Sequence, residues 1–223
     1  MTEQEWLTCT SPTPMLAFLQ GKVSSRKLRL LAVAYCRQIL PDFAHWELVD
    51  GLKQIEAVAD QLLDPTALIT VAQKAEAHLY PEMPPEQRLV CQCVTFASYF
   101  DELADDSGAF GVDDPDRSAL PAAIRCSSAV SVGMVGERGH SGYIRCVFGN
   151  PFCPVAADPA WLTSNVVALA TGIYTDHAFD RMPILADALQ DAGCDNADIL
   201  THCRNEAQHV RGCWVVDLLL GKE

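Results

Sequence analysis

Positive charge is scarce in this 223-residue sequence. It contains 16 Lys and Arg against 29 Asp and Glu, so the formal net charge is -13 at pH 7. Proteins that bind nucleic acid draw most of their affinity from basic side chains that neutralise phosphates. Anionic membrane surfaces attract the same side chains. The densest basic group, Arg26, Lys27 and Arg29, is short and typical of a solvated helix face. The composition therefore disfavours nucleic acid and membrane partners.

Long apolar runs are also missing. The opening residues, MTEQEWLTCT, lack the apolar segment of a secretory signal, and stretches such as VVALATGIY are far too short to span a membrane. We therefore expect a cytoplasmic protein. The sequence contains ten cysteines. Disulfides are rare in the cytosol, and free cysteine behaves as a small apolar residue, so we expect most of these thiols to be reduced and buried.

No familiar catalytic or cofactor motif is present. The sequence contains no phosphate loop, dinucleotide fingerprint, H-E-x-x-H pair or G-x-S-x-G elbow, and we therefore predict no cofactor. An acidic segment in the middle offers carboxylates for a divalent ion but lacks the spacing of a calcium loop. Its carboxylates are Asp101, Glu102, Asp105, Asp106, Asp113, Asp114 and Asp116. We expect a solvated loop here, exposed and mobile from Asp105 to Arg117.

Apolar residues recur at spacings of three and four along most of the chain, a pattern typical of helices. The sequence predicts a mainly α protein, an irregular bundle of about eight to ten helices. Ser24 or Ser25 is expected to cap one helix, and Asp195 or Asn196 another. The glycine-rich residues 127–147 are predicted to be helical, with a minor hairpin or a mobile segment as alternatives. Trp46 and Ile184 are expected on buried helix faces.

The chain is predicted to have two regions. Residues 1–147 form an N-terminal helical region with a variable central segment, and residues 148–223 form a C-terminal helical module. We expect the two to pack together as one globular unit. In the second region, one helix is predicted to start at Pro159 and continue to Tyr174. Another is predicted to bury Val210, Cys213, Trp214 and Leu218.

The C-terminal region concentrates cysteine and histidine. The candidate metal ligands are Cys194, His202, Cys203, His209 and Cys213. A structural zinc site needs four such ligands, often in closely spaced pairs, and only His209 and Cys213 have helical i, i+4 spacing. Neighbouring residues on a helix point about 100° apart, so His202 and Cys203 rarely face one ion. This spacing favours packing of the thiols in the core over a metal site or a Cys203 nucleophile.

Three long strings carry a resemblance. The opening MTEQEWLTCTSPTPMLAFLQGKVSSRKLRLLA, the segment FGNPFCPVAADPAWL and the ending FDRMPILADALQDAGCDNADILTHCR…HVRGCWVVDLLLGKE resemble a lineage-expanded family of planctomycete-type bacterial proteins. The resemblance covers about the first forty residues and Phe148 onward, and little of the middle. It implies a shared helical character and transfers no catalytic residue. Relatives tend to carry a CACC-like string after RKLRL, where this chain retains Cys36 alone, which disfavours a metal there.

Two functions follow from these observations. The absence of catalytic and cofactor motifs favours a non-catalytic cytoplasmic interaction or scaffold module, with another protein as its partner. The alternative is a zinc-binding protein, structural or hydrolytic, that uses the C-terminal Cys/His set. Bound metal distinguishes the two hypotheses.

Overall fold

The fold of this chain is given by a computed structural model, which describes residues 1–39, 46–79, 88, 91, 94–95, 137–205 and 208–222. Across these residues the chain forms ten α-helices and two short 3-10 helices, with no strand. The prediction of a mainly α, multi-helix fold is confirmed. No helix in the described ranges is long and apolar enough to cross a membrane. The acidic loop, including Asp105 to Arg117, and residues 127–136 lie outside the described residues.

The chain divides into two compact units. One, the N-terminal unit, comprises Thr10–His140. The other, the C-terminal unit, comprises Met1–Cys9 together with Ser141–Glu223. The first nine residues therefore belong with the end of the chain.

In the N-terminal unit, four helices are described: α2 (Pro12–Leu19), α3 (Ser25–Ile39), α4 (Trp46–Ala59) and α5 (Ala67–Ala77). The Ser24 hydroxyl accepts from Lys27 N at 3.4 Å, as expected of a cap. The Arg37 Nη2 and Glu56 Oε2 atoms are 3.0 Å apart, which compensates the buried Glu56 carboxylate. Trp46 is 73% exposed, so its assignment to a buried stripe was wrong. Trp46 is the first residue of α4, and the buried face of that helix carries Leu48 and Leu52 instead.

The C-terminal unit contains five whole helices: α1 (Glu3–Thr8), α7 (Ser164–Asp176), α8 (Met182–Asp191), α9 (Ala197–Arg204) and α10 (Trp214–Leu220). It also contains α6 (Glu137–Phe148) from Ser141 onward, and the first four residues of that helix belong to the N-terminal unit. The predicted helix from Pro159 is interrupted. A 3-10 turn covers Pro159–Trp161, and α7 starts only after Thr163, whose hydroxyl accepts from Val166 N at 3.3 Å. Thr163 is extended and caps the new helix, so the earlier turn cannot continue into it.

The core of the C-terminal unit is continuous and draws on α6 to α10. Leu185 and Leu189 of α8 are fully buried in it, whereas Ile184 is 56% exposed. The prediction that Ile184 shares their face was wrong. Successive residues on a helix differ by about 100°, so Ile184 points away when Leu185 faces the core.

The last helix starts later than the sequence pattern predicts. Gly212 has a φ of +89°, and Cys213, whose N–H donates to Val210 O at 3.0 Å, is the N-cap of α10. His209 and Val210 therefore lie in the loop before α10. The predicted helical i, i+4 relation between His209 and Cys213, and the helical placement of Val210, were wrong. A glycine at positive φ ends regular helix geometry here.

The predicted cap of α9 allows a stability test. The Asn196 Oδ1 accepts from Ile199 N at 3.1 Å. We expect Asn196→Ala to lower the free energy of unfolding by about 1 kcal/mol, because one helix N–H loses its acceptor. Urea denaturation measures the change, and the exposed neighbour Asp195→Ala serves as the matched control. Equal effects of the two substitutions would contradict the capping role.

Candidate metal centre

Four side chains of the C-terminal unit bring their ligand atoms together. The sulfur atoms of Cys146 and Cys213 and one ring nitrogen each of His202 and His209 all lie within 4.8 Å of one another. Cys146 and Cys213 are buried, and the two imidazoles are partly buried. Two thiols and two imidazoles form the donor set of many structural zinc sites.

Three of the six separations between the donor atoms are close to those of a tetrahedral ion site, and none exceeds 4.8 Å. The His202 Nε2 to Cys213 Sγ distance is 3.2 Å, and the His209 Nδ1 atom lies 3.8 Å from Cys146 Sγ and 4.0 Å from Cys213 Sγ. Ligand bonds of about 2.0 to 2.3 Å around a tetrahedral zinc ion place donor atoms about 3.3 to 3.8 Å apart. These three edges therefore need to change by only a few tenths of an ångström to enclose an ion.

Different elements position the four ligands. Cys146 lies in the last turn of α6, His202 near the end of α9, His209 in the loop that follows, and Cys213 at the start of α10. The helix end at Arg204 and the turn before Cys213 let this segment fold back. His202 and His209 therefore meet edge to face, with ring centroids 4.8 Å apart. The fold brings helix ends and a loop from distant parts of the chain to the same point.

The cluster favours a thiolate at Cys213. Burial raises the pKa of this thiol, but hydrogen bonds with Cys146, His202 and His209 and the charge of His202 together hold the pKa well below its usual value of 9.0. A buried thiolate is costly unless a positive charge lies beside it. Cys213 is thus an anionic donor, and a bound cation could take the place of the His202 charge beside it.

Cys203 contrasts with Cys213. Both are fully buried, but the pKa of Cys203 is raised, mainly by burial and then by the charges of Cys213 and Cys194. The Cys203 thiol therefore stays protonated at neutral pH. A protonated, fully buried thiol is a poor nucleophile and a poor metal ligand, which argues against the Cys203 nucleophile considered from the sequence.

A contact beside the cluster holds α6 to the loop that carries His209. The Tyr143 hydroxyl donates to the Oε1 atom of Gln208, the residue before His209. Burial, and secondarily the charge of Cys146, raises the pKa of Tyr143 to about 12, so this donor stays protonated. The contact fixes the separation between the two elements that supply Cys146 and His209.

The His209 ring makes only long contacts through its nitrogen atoms among the described residues. Its Nδ1 atom faces two sulfurs at 3.8 and 4.0 Å, which are long contacts, and its buried Nε2 atom has no hydrogen-bond partner among the described residues. A buried polar group without a full-strength bond costs about 1 to 3 kcal/mol. Coordination through Nδ1 would replace two weak contacts with one strong bond, and it would place the ring proton on Nε2, which would still need an acceptor.

The sequence-based candidates are placed as follows. The structure brings His202, His209 and Cys213 together, whereas Cys194 and Cys203, both buried in the same core, are not members of the four-ligand cluster. The fourth ligand, Cys146, was not a candidate, because it precedes His202 by more than fifty residues in a segment whose structure the sequence left open.

Comparison with known proteins gives no assignment. No model of a protein family matches the chain, and neither a curated protein nor a solved structure is detectably similar to it. The chemistry of the site is therefore argued from its own geometry.

Proposed function

We propose that this protein binds one zinc ion through Cys146, His202, His209 and Cys213, and that the ion has a structural role. The observation that carries the proposal is the convergence of two sulfurs and two nitrogens within 4.8 Å of one another in a largely buried place. These residues come from separate elements, so local helix periodicity does not account for their meeting.

Zinc suits this donor set best. Mixed sulfur and nitrogen ligands in a tetrahedral arrangement favour zinc over calcium and magnesium, which prefer oxygen. Two thiolates and two neutral imidazoles around Zn²⁺ give a site with no net charge. A site without net charge is favoured here because a net charge is costly to bury, and Cys213 is 0% exposed and Cys146 is 3% exposed.

A structural role follows from the ligand count. Catalytic zinc sites keep one position open for water or substrate, whereas structural sites are closed by four protein ligands. Here four protein ligands are available, and they connect α6 with α9, the following loop and α10. The ion would cross-link these elements, as a disulfide does in a secreted domain.

Of the two zinc functions considered from the sequence, structural and hydrolytic, we propose only the structural one. This role also preserves the non-catalytic part of the scaffold hypothesis. That the partner is another protein stays a prediction.

Elemental analysis tests the proposal. We expect protein purified without added metal or chelator to contain about one zinc ion per chain, because a closed four-ligand site holds zinc tightly. Cys213→Ala should lose the ion. Cys203→Ala should keep it, because this equally buried thiol lies outside the cluster. Absence of zinc from the parent protein, even after incubation with zinc, would overturn the proposal.

Thiol reactivity gives an independent prediction. Among the cysteines that the structure describes, we expect a thiol reagent to modify the exposed Cys153 first in the native protein. Cys146 and Cys213 should react only slowly while zinc is bound, and a chelator should accelerate both. Mass spectrometry of the modified peptides identifies the sites. Buried Cys194 is the control, and an equal acceleration of Cys194 would indicate general unfolding instead.

A further inference from the structure

The first nine residues are anchored beside the proposed metal centre. Thr2 and Glu5 form a reciprocal capping box that starts α1. Trp6 is fully buried, and its Nε1 donates to Gly149 O at 3.0 Å. The Arg145 Nη1 donates to Trp6 O and Cys9 O, each at 3.0 Å. Both anchoring points flank the ligand Cys146.

A second contact continues from Gly149 toward the other ligands. Gly149 has a φ of +64°, and a Cβ atom on it would lie 3.1 to 3.4 Å from three atoms of the Trp214 ring. The Trp214 ring is therefore packed directly against the Gly149 backbone. Trp214 follows the ligand Cys213 in sequence, and its ring centroid lies 5.4 Å from that of His202.

These contacts form one continuous path through the unit. It runs from Trp6 to Gly149, to Trp214 and to the His202 ring, and it passes beside Cys146 and Cys213. Groups outside the ligand set hold ligands in their coordinating orientation, and losing one typically costs 10- to 100-fold in metal affinity.

We propose that Trp6 is a positioning residue of the metal centre, acting through Gly149 and Trp214 to hold Cys146 and His202 and so to slow the release of zinc. This inference rests on the proposed zinc site. It assigns a role to the N-terminal segment. The helix α1 contributes no ligand, but its residues contact the end of α6, where the ligand Cys146 lies. The role is kinetic retention of the ion.

Zinc transfer from the full-length protein to an excess of a chromogenic chelator tests this inference. We expect Trp6→Ala to release zinc about 10- to 100-fold faster than the parent protein. Trp6→Phe retains most of the ring but lacks the N–H donor, and it should fall between the two. Leu185→Ala is the control, because it removes a buried side chain of the same unit from a helix that carries no ligand. Its release rate should stay within about threefold of the parent.

A second measurement separates positioning from loss of stability. With cobalt in place of zinc, Trp6→Ala should show a ligand-field spectrum that differs from that of the parent, because this substitution alters the orientation of the ligands. Leu185→Ala should keep the parental spectrum. Circular dichroism confirms that each variant is folded at the assay temperature. If Trp6→Ala does not fold, Trp6→Phe decides.

Two failures are distinguishable. If the parent protein holds zinc, and Trp6→Ala and Trp6→Phe release it at the parental rate, only the positioning role is overturned. Equal acceleration by Leu185→Ala also overturns it, since general loosening would then be the cause. A parent protein that binds neither zinc nor cobalt overturns the proposed function, and this inference with it.

Discussion

We expect a chelator to lower the melting temperature of the parent protein by about 8 to 16 °C. A ligand that binds only the folded state at 1,000 times its dissociation constant stabilises by about 4 kcal/mol. For a chain of this size each kcal/mol shifts the melting temperature by about 2 to 4 °C. Cys213→Ser should melt at or below the temperature of the chelated parent, because it loses both the ion and the packing of a buried thiol, and it should no longer respond to chelator. Differential scanning calorimetry with and without chelator measures both effects.

Trp214→Ala provides the comparison that separates metal binding from packing. If Cys213 served packing alone, its replacement by serine would cost about 1 to 3 kcal/mol, and the loss of the larger Trp214 side chain would cost about 3 to 5 kcal/mol. A metal site reverses this order, because Cys213→Ser then loses the ion in addition to its packing cost, whereas Trp214→Ala keeps all four ligands and should still respond to chelator. Trp214 is also only partly buried, which reduces its own effect. A chelator-insensitive parent, with Trp214→Ala the more damaging substitution, would support packing.

The second large effect is expected at Gly149. A residue with a Cβ atom pays about 1 to 2 kcal/mol at its φ of +64°. The new atom would also press on the Trp214 ring at 3.1 Å, and such overpacking typically costs a further 1 to 3 kcal/mol. We therefore expect Gly149→Ala to lower the free energy of unfolding by about 2 to 5 kcal/mol, measured by urea denaturation of the zinc-loaded protein.

Two other glycines separate these contributions. Gly193 has a φ of +88°, and a Cβ atom on it would meet no other atom within 4 Å, so Gly193→Ala should show the conformational cost alone. Gly172 has neither a positive φ nor a nearby atom, so Gly172→Ala should be neutral or slightly stabilising. A loss at Gly149 no larger than that at Gly193 would show that the Trp214 ring moves aside freely.

Helix content could be predicted from the sequence because its causes are local. Apolar spacing and caps such as Ser24 and Asn196 act over three or four residues, and the structure shows both caps. The helix α1 was missed although Thr2 and Glu5 carry the capping-box signature. Burial was predicted less well. Trp46 and Ile184 fit an apolar pattern, but the neighbouring elements decide which side of a helix is covered.

The candidate site, like the pattern of burial, could be predicted from the sequence only in part. The sequence by itself determined a helical protein rich in cysteine, and it placed His202, His209 and Cys213 in one short segment. Only the tertiary structure decided that Cys146 joins them, while Cys203 stays a protonated core thiol. The physical reason is that a coordination site depends on distances of a few ångströms between groups far apart in the chain. Such distances are set by how α6, α9 and α10 pack together, and no local pattern of residues records them.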